Sequence, residues 1–179
     1  MLNLKIRRLE TQDAEDYRKI RLAALAQAPE MFGASYSAEL EKNLDFFIQI
    51  ISNSAVFGAF QNEQIVGLAV FKQGEGEKDR HKAYLYSFYV DSNYQRKGIA
   101  DQLLRVVVEY GKQHVEQILL TVVDDNLPAI HLYEKHGFQV YGIEPLALKK
   151  GTVYKNEVLM ILFLKTNPIL EIIHQNKTG

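Results

Sequence analysis

With 179 residues, 47% of them hydrophobic and 24% charged, the chain has the makeup of one folded domain with a sizeable core. A formal net charge of −1 argues against a broad nucleic-acid-binding face, and the lack of cysteine rules out disulfides, thiolate catalysis and cysteine-held metal while permitting a cytoplasmic home. No signal-peptide block opens the sequence, and its densest apolar run, Val158 to Leu164, falls far short of the ~20 residues of a membrane-spanning helix, so no membrane association is expected.

Alternation over Leu2 to Arg7 predicts a half-buried first strand. Thr11 stands where an N-cap would, with Asp13, Glu15 and Asp16 in the first turn that follows; Tyr17, Ile20, Ala24 and Leu25 mark the buried face of a helix that Pro29 and Gly33 interrupt. A second helix is expected from Ser37, with Leu40, Leu44, Phe47, Ile48 and Ile51 on one face. Strands Ala55–Phe60 and Ile65–Phe71 flank a polar turn at Gln61–Gln64, and Gln73–Arg80 reads as a loop. Ala83–Val90 is an aromatic-rich strand, on which Tyr84, Tyr86 and Phe88 are expected to share one face. A turn at Asp91–Asn93 leads to a helix with core positions Ile99, Leu103, Leu104, Val107 and Val108, and then to the branched strand Ile118–Val123. Asn126 caps a short helix carrying Ala129, Ile130, Leu132 and Tyr133, which Gly137 ends; Phe138–Ile143 and Val153–Leu164 are the last strands. The order describes an α/β protein, a mixed sheet with helices on both faces. Residues 1–165 are expected to form one domain and 166–179 a C-terminal tail, in which Ile169, Leu170, Ile172 and Ile173 suit a short docking helix.

Chemistry concentrates where the strand ending at Val90 meets the following helix. A helix N-terminus offers unpaired N–H groups and a partial positive charge, Gly98 lets backbone approach a phosphate closely, and Arg96 and Lys97 add local charge. A structural turn is the other reading of the same residues. No P-loop pattern occurs, and Leu103 breaks any continuation of Gly98 into a dinucleotide fingerprint. His81, His114, His131, His136 and His174 lack metal-ligand spacing, so no metal is expected.

Gln95-Arg96-Lys97-Gly98-Ile99-Ala100 matches the pattern Q/R-x-x-G-x-G/A, and Asn126, Ala129, Tyr133, Gly137 and Phe138 match N-x-x-A-x-x-x-Y-x-x-x-G-F. Two motifs at this separation, with a strand between them, make the chain from Leu4 to Leu164 resemble the GNAT acetyltransferase superfamily. The resemblance implies the GNAT fold: a mostly antiparallel sheet with a splayed strand pair between Val90 and Ile118–Val123. It implies acetyl-CoA as co-substrate, its pantetheine arm along the main chain of Phe88, Tyr89 and Val90. The pyrophosphate would lie on the amides of Arg96, Lys97, Gly98, Ile99, Ala100 and Asp101, with Gln95 in the same loop and Asn126 touching the arm. A backbone N–H near Val90 would polarise the thioester carbonyl, and Tyr133 would protonate the departing thiolate. Without the motif, Tyr133 reads as an ordinary amphipathic-helix residue, Asn126 as an N-cap and Gln95 as a residue that orders the turn.

The resemblance also implies an amine acceptor, either a small molecule or a protein N-terminus or lysine, with no nucleic acid or membrane partner and with a homodimer as an open option. One departure matters: the strand Ala83–Val90 carries no acid, and Thr121 stands where ribosomal-protein N-terminal acetyltransferases have a glutamate. The base stays unassigned among a water chain, Ser87, a tyrosine hydroxyl and a carboxylate of the first two helices, Glu39 and Glu41 being nearest. Acceptor choice would lie in Ala28–Tyr36, the second helix and Glu144–Tyr154. A catalytically silent acyl-CoA-binding module on the same fold is the rival reading, and a longer acyl donor is a further one.

Overall fold

The computed structural model describes residues 4–165. Its strands are β1 (Leu4–Arg8), β2 (Ala55–Gln61), β3 (Gln64–Gln73), β4 (Lys82–Val90), β5 (Gln117–Val123), β6 (Gln139–Lys150) and β7 (Val153–Phe163). They form one sheet in the order β1-β2-β3-β4-β5-β7-β6. Every neighbouring pair is antiparallel except β4 and β5, which run parallel. The expected mixed sheet is present, and so is the splay. The β4–β5 ladder holds only Lys82, Ala83 and Tyr84 against Gln117, Ile118 and Leu119.

Helices α4 (Ile99–His114) and α5 (Leu127–Lys135) cover one face of the sheet, α1 (Ala14–Gln27) and α3 (Leu44–Asn53) the other. The seam of α4 falls at the predicted helical spacing, with Leu103, Leu104 and Val107 wholly buried. Each such side chain is worth about 1.5–3 kcal/mol relative to exposure, which fixes this helix and the loop before it to the sheet. Gly111 lets α4 come close: a Cβ there would lie 2.8 Å from Ile118 Cδ1.

Several expectations are corrected. Thr11 is not an N-cap but opens a single 3-10 turn; the Glu10 N–H donates to Asp13 Oδ2 at 2.8 Å, and Arg7 grips the same carboxylate at 2.7 and 2.8 Å. The single helix expected from Ser37 is two: α2 (Tyr36–Leu40), capped by Ser35, and α3, capped by Asn43. Each cap oxygen accepts a backbone N–H, from Ala38 and Phe46 respectively, and so starts a new helix. Strand β6, expected to end at Ile143, runs on to Lys150, so most of Glu144–Tyr154 is hairpin ladder. The tail and its expected docking helix, residues 166–179, lie outside the described residues.

The shared face of Tyr84, Tyr86 and Phe88 is also corrected. Between the pairs Val70↔Tyr86 and Leu68↔Tyr89, β4 holds one residue more than β3, a bulge at Ser87, whose φ is 52°. The extra residue reverses the alternation beyond it. Tyr84 and Tyr86 stack together, with ring centroids 6.0 Å apart, while Phe88 packs into the core beneath α4 and α5, as do Ala83 and Leu85 before the bulge. Tyr89 therefore turns to the α1 side.

Candidate active site

Beyond Tyr84 the facing edges of β4 and β5 have no strand between them, and a cavity of about 220 Å³ occupies the opening. Its wall includes Leu85 to Phe88 of β4, Thr121 to Val123 of β5, Asn126, Ala129 and Tyr133 of the α5 segment, Glu157 of β7, and Arg21 with Met31 to Gly33. Past Phe32 and Gly33 the cavity adjoins a wider groove of about 680 Å³, whose charges are mixed: Lys149, Lys150 and Lys155 against Glu30.

The end of β4 is held in place by α1. The Tyr89 hydroxyl donates to Gln27 Oε1, the Ser92 N–H donates to the same oxygen at 3.2 Å, and Gln27 Nε2 donates to Asp91 Oδ2 at 3.3 Å. The Asp91 N–H donates to the Val66 carbonyl on the β3 side at 2.9 Å. Strand alternation then turns the Val90 N–H the other way, toward the opening. The Val90 carbonyl is already engaged by Gln95 Nε2 at 3.0 Å, so Gln95 orders the turn.

The loop into α4 carries two left-handed residues, Arg96 (φ 59°) and Gly98 (φ 77°). A Cβ on Gly98 would meet only Gln102 Nε2, at 4.0 Å. Glycine is needed there for its φ more than for room. The first N–H bonded within α4 is that of Gln102, to Gly98 O at 3.1 Å; those of Ile99, Ala100 and Asp101 precede the ladder and are free for an anion. Gln95, Arg96, Lys97 and Gly98 are exposed and Ile99 is buried in the core. Lys97 donates to the Asn93 carbonyl at 3.0 Å and lies over the Tyr94 ring.

The Asp101 side chain looks toward α5 rather than outward. Lys135 Nζ reaches it at 2.6 Å, His136 Nε2 at 3.0 Å and Arg105 at 3.0 Å. Hydrogen bonds from Lys135 and His136 hold its carboxyl down to about 2. An unfolded aspartate titrates near 3.9, so this network stabilises the fold fully above about pH 4 and loses its contribution as the pH falls toward 2. Asp101→Asn is expected to lower Tm by roughly 2–4 °C at pH 7 and to leave little difference at pH 2, as read by thermal melts at both values.

Asn126 is the N-cap of α5, its Oδ1 accepting from the Ala129 N–H at 3.4 Å, and it also faces the cavity. Gly137 ends the helix at φ 89° and Phe138 is core. Tyr133 is buried between Phe88 and Phe138, with ring centroids 5.8 and 5.6 Å away. Burial pushes its hydroxyl far above the ordinary tyrosine range, so it keeps its proton at working pH.

The acids expected nearest the acceptor divide. Glu39 is buried and committed to Arg21 through three hydrogen bonds, the shortest 2.7 Å, while Glu41 is exposed. Sequence reasoning missed Arg21 and Glu157, both at the cavity. The signal available for Glu157 was a lone acid leading into the apolar run Val158–Leu164.

Comparisons with known proteins bear on the family and the fold. The family model described as "Acetyltransferase (GNAT) family" matches residues 15–138. Mycothiol acetyltransferase of Brachybacterium faecium is 31% identical over 136 residues, which cover 74% of this chain and 40% of that protein. The chain spans about half the length of the curated relatives it matches. Among solved structures, a GNAT-family acetyltransferase from Streptococcus pneumoniae superposes with a TM-score of 0.83 at 20% identity, covering 91% of this chain and 100% of that one. The yncA protein of Salmonella typhimurium, solved with its cofactor acetyl-CoA, gives 0.80 at 18% identity, covering 92% and 95%.

Proposed function

Because the chain belongs to the GNAT acetyltransferase family, we propose that it transfers an acetyl group from acetyl-CoA to an amine by direct attack. One observation carries the reading: where β4 and β5 part beyond Tyr84, the opening between them is lined by Phe88 of β4 together with Asn126 and Tyr133. The pantetheine arm would pair with the unpaired edge of β4 at Phe88 to Val90, as an added strand does. The pyrophosphate would rest on the N–H groups from Arg96 to Asp101. The Val90 N–H supports the oxygen of the tetrahedral intermediate, and Tyr133 hydrogen-bonds the sulfur as the C–S bond breaks. The yncA neighbour with acetyl-CoA supports the choice of co-substrate.

The acceptor is an amine on a small molecule or on a protein. The cavity's apolar rim of Met31 and Phe32 and the mixed charge of the outer groove favour neither. No helix among the described residues is long and apolar enough to cross a membrane, and the cysteine-free composition suits a cytoplasmic enzyme. A silent coenzyme-binding module would have no use for the tyrosine hydroxyl that Tyr133 brings to the cavity wall. Calorimetry with acetyl-CoA, followed by thiol release with spermine, free L-amino acids and peptides bearing free N-termini, tests the reading. Binding with release on one acceptor class is the expected result; binding without release on any would favour the silent module.

A further inference from the structure

We propose that Glu157 is the general base of this reaction, the group that takes a proton from the acceptor amine; the assignment rests on the transferase reading above. On β7, Glu157 pairs with Val123 of β5 and with Glu144 of β6. Its neighbours Val158, Met160 and Leu162 belong to the core beneath α4 and α5, so Glu157 projects from the opposite face of the sheet. Tyr133 reaches the opening from the α5 side. The proton donor and the proton acceptor thus stand on opposite faces of one cavity, as direct attack through a gap in a sheet requires. Among the described residues lining that cavity Glu157 is the single carboxylate, and Glu39 nearby is held by Arg21.

The surroundings suit the task. Burial raises the Glu157 carboxyl above its ordinary range, contact with the Thr121 hydroxyl draws it partly back, and Glu144 raises it further. The charged groups that face it are Arg21 from α1, Glu144 from β6, and Lys155 on its own strand, itself bound to Asp125; Tyr86 of β4 and Tyr133 of α5 are the neutral titratable neighbours. The acceptor ammonium gives one proton to Glu157, which passes it to water. The freed lone pair forms the N–C bond, the C–S bond breaks, and the sulfur takes a proton from Tyr133. The proton still to leave nitrogen returns to Tyr133 through solvent, giving amide and free thiol.

The test compares wild type with Glu157→Gln, using acetyl-CoA and whichever of spermine, L-amino acids and free-N-terminus peptides supports thiol release. From neutral pH to about 9 the wild-type kcat/KM should be nearly flat, because the base takes its proton from the ammonium form that dominates there. The variant should bind acetyl-CoA within about twofold of wild type and lose about 100-fold in kcat/KM at pH 7. That loss should shrink tenfold per pH unit as the pH approaches the amine's own range near ~10. Equal loss at every pH, or no loss at pH 7, overturns the base while leaving the transferase intact. No thiol release by the wild type with any acceptor overturns the transferase reading and the base with it. If Glu157→Gln does not bind coenzyme, Glu157→Asp carries the test: a flat profile supports the assignment and a rising one refutes it.

Discussion

Tyr133→Phe is expected to bind acetyl-CoA with a Kd within about twofold of wild type and to turn over about 10²–10⁴-fold more slowly, the range for loss of one acid–base group. The ring is what the fold uses, since it packs on Phe88 and Phe138 and phenylalanine keeps both contacts. Among the described residues the hydroxyl has no hydrogen-bond partner, so its removal strands no other group. Its desolvated, firmly held proton makes it better at hydrogen-bonding a developing thiolate than at releasing the proton early. Single-turnover thiol release with calorimetry on the same preparation separates the two effects. Turnover within twofold of wild type would remove Tyr133 from the chemistry.

A second large effect is expected at Arg21, this time on stability. Arg21 and Glu39 are nearly buried, stand 2.7 Å apart, and join α1 to α2 beside the cavity, with the guanidinium over Phe32. Arg21→Met strands a buried carboxylate, which costs about 3–5 kcal/mol, or roughly 6–20 °C in Tm for a domain of this size. Arg21→Met combined with Glu39→Leu should recover most of that loss, because an apolar pair of similar volume replaces a buried ion pair at little cost. Thermal melts of both variants decide it. If the double variant is no more stable than the single one, the pair's contribution is packing rather than charge compensation.

Local patterns were legible in the sequence and non-local ones were not. The α4 seam, the glycine that enters α4, the Asn126 cap and the Gly137 stop are all set by near neighbours, and each stands where its residues put it. The bulge at Ser87 depends on how β4 registers with β3, so the faces of Tyr84, Tyr86 and Phe88 could not be read from alternation alone. The strand expected to stop at Ile143 continues through Pro145, because β6 lies at the sheet edge, where a missing N–H costs no ladder bond, and its pairing shifts register between Glu144 and Leu148. That Glu39 is half of an ion pair could not be read from the sequence, because its partner lies 18 residues away on another helix. Glu157 stayed hidden because only the pairing of β7 with β5 brings it to the opening.

Mechanically, the sheet is two leaves on a short hinge. One leaf is β1 to β4 and the other is β5, β7 and β6, and the pin is the three-pair ladder at Lys82 to Tyr84. Ala83 and Ile118 form the middle of that pin, both wholly buried, with Ile118 seated in the notch that Gly111 leaves in α4. A bulkier residue at either Gly111 or Ala83 would push on the pin rather than on the opening. The angle between the leaves, and with it the width of the opening between Phe88 and Val123, is therefore set by residues that line no part of that opening.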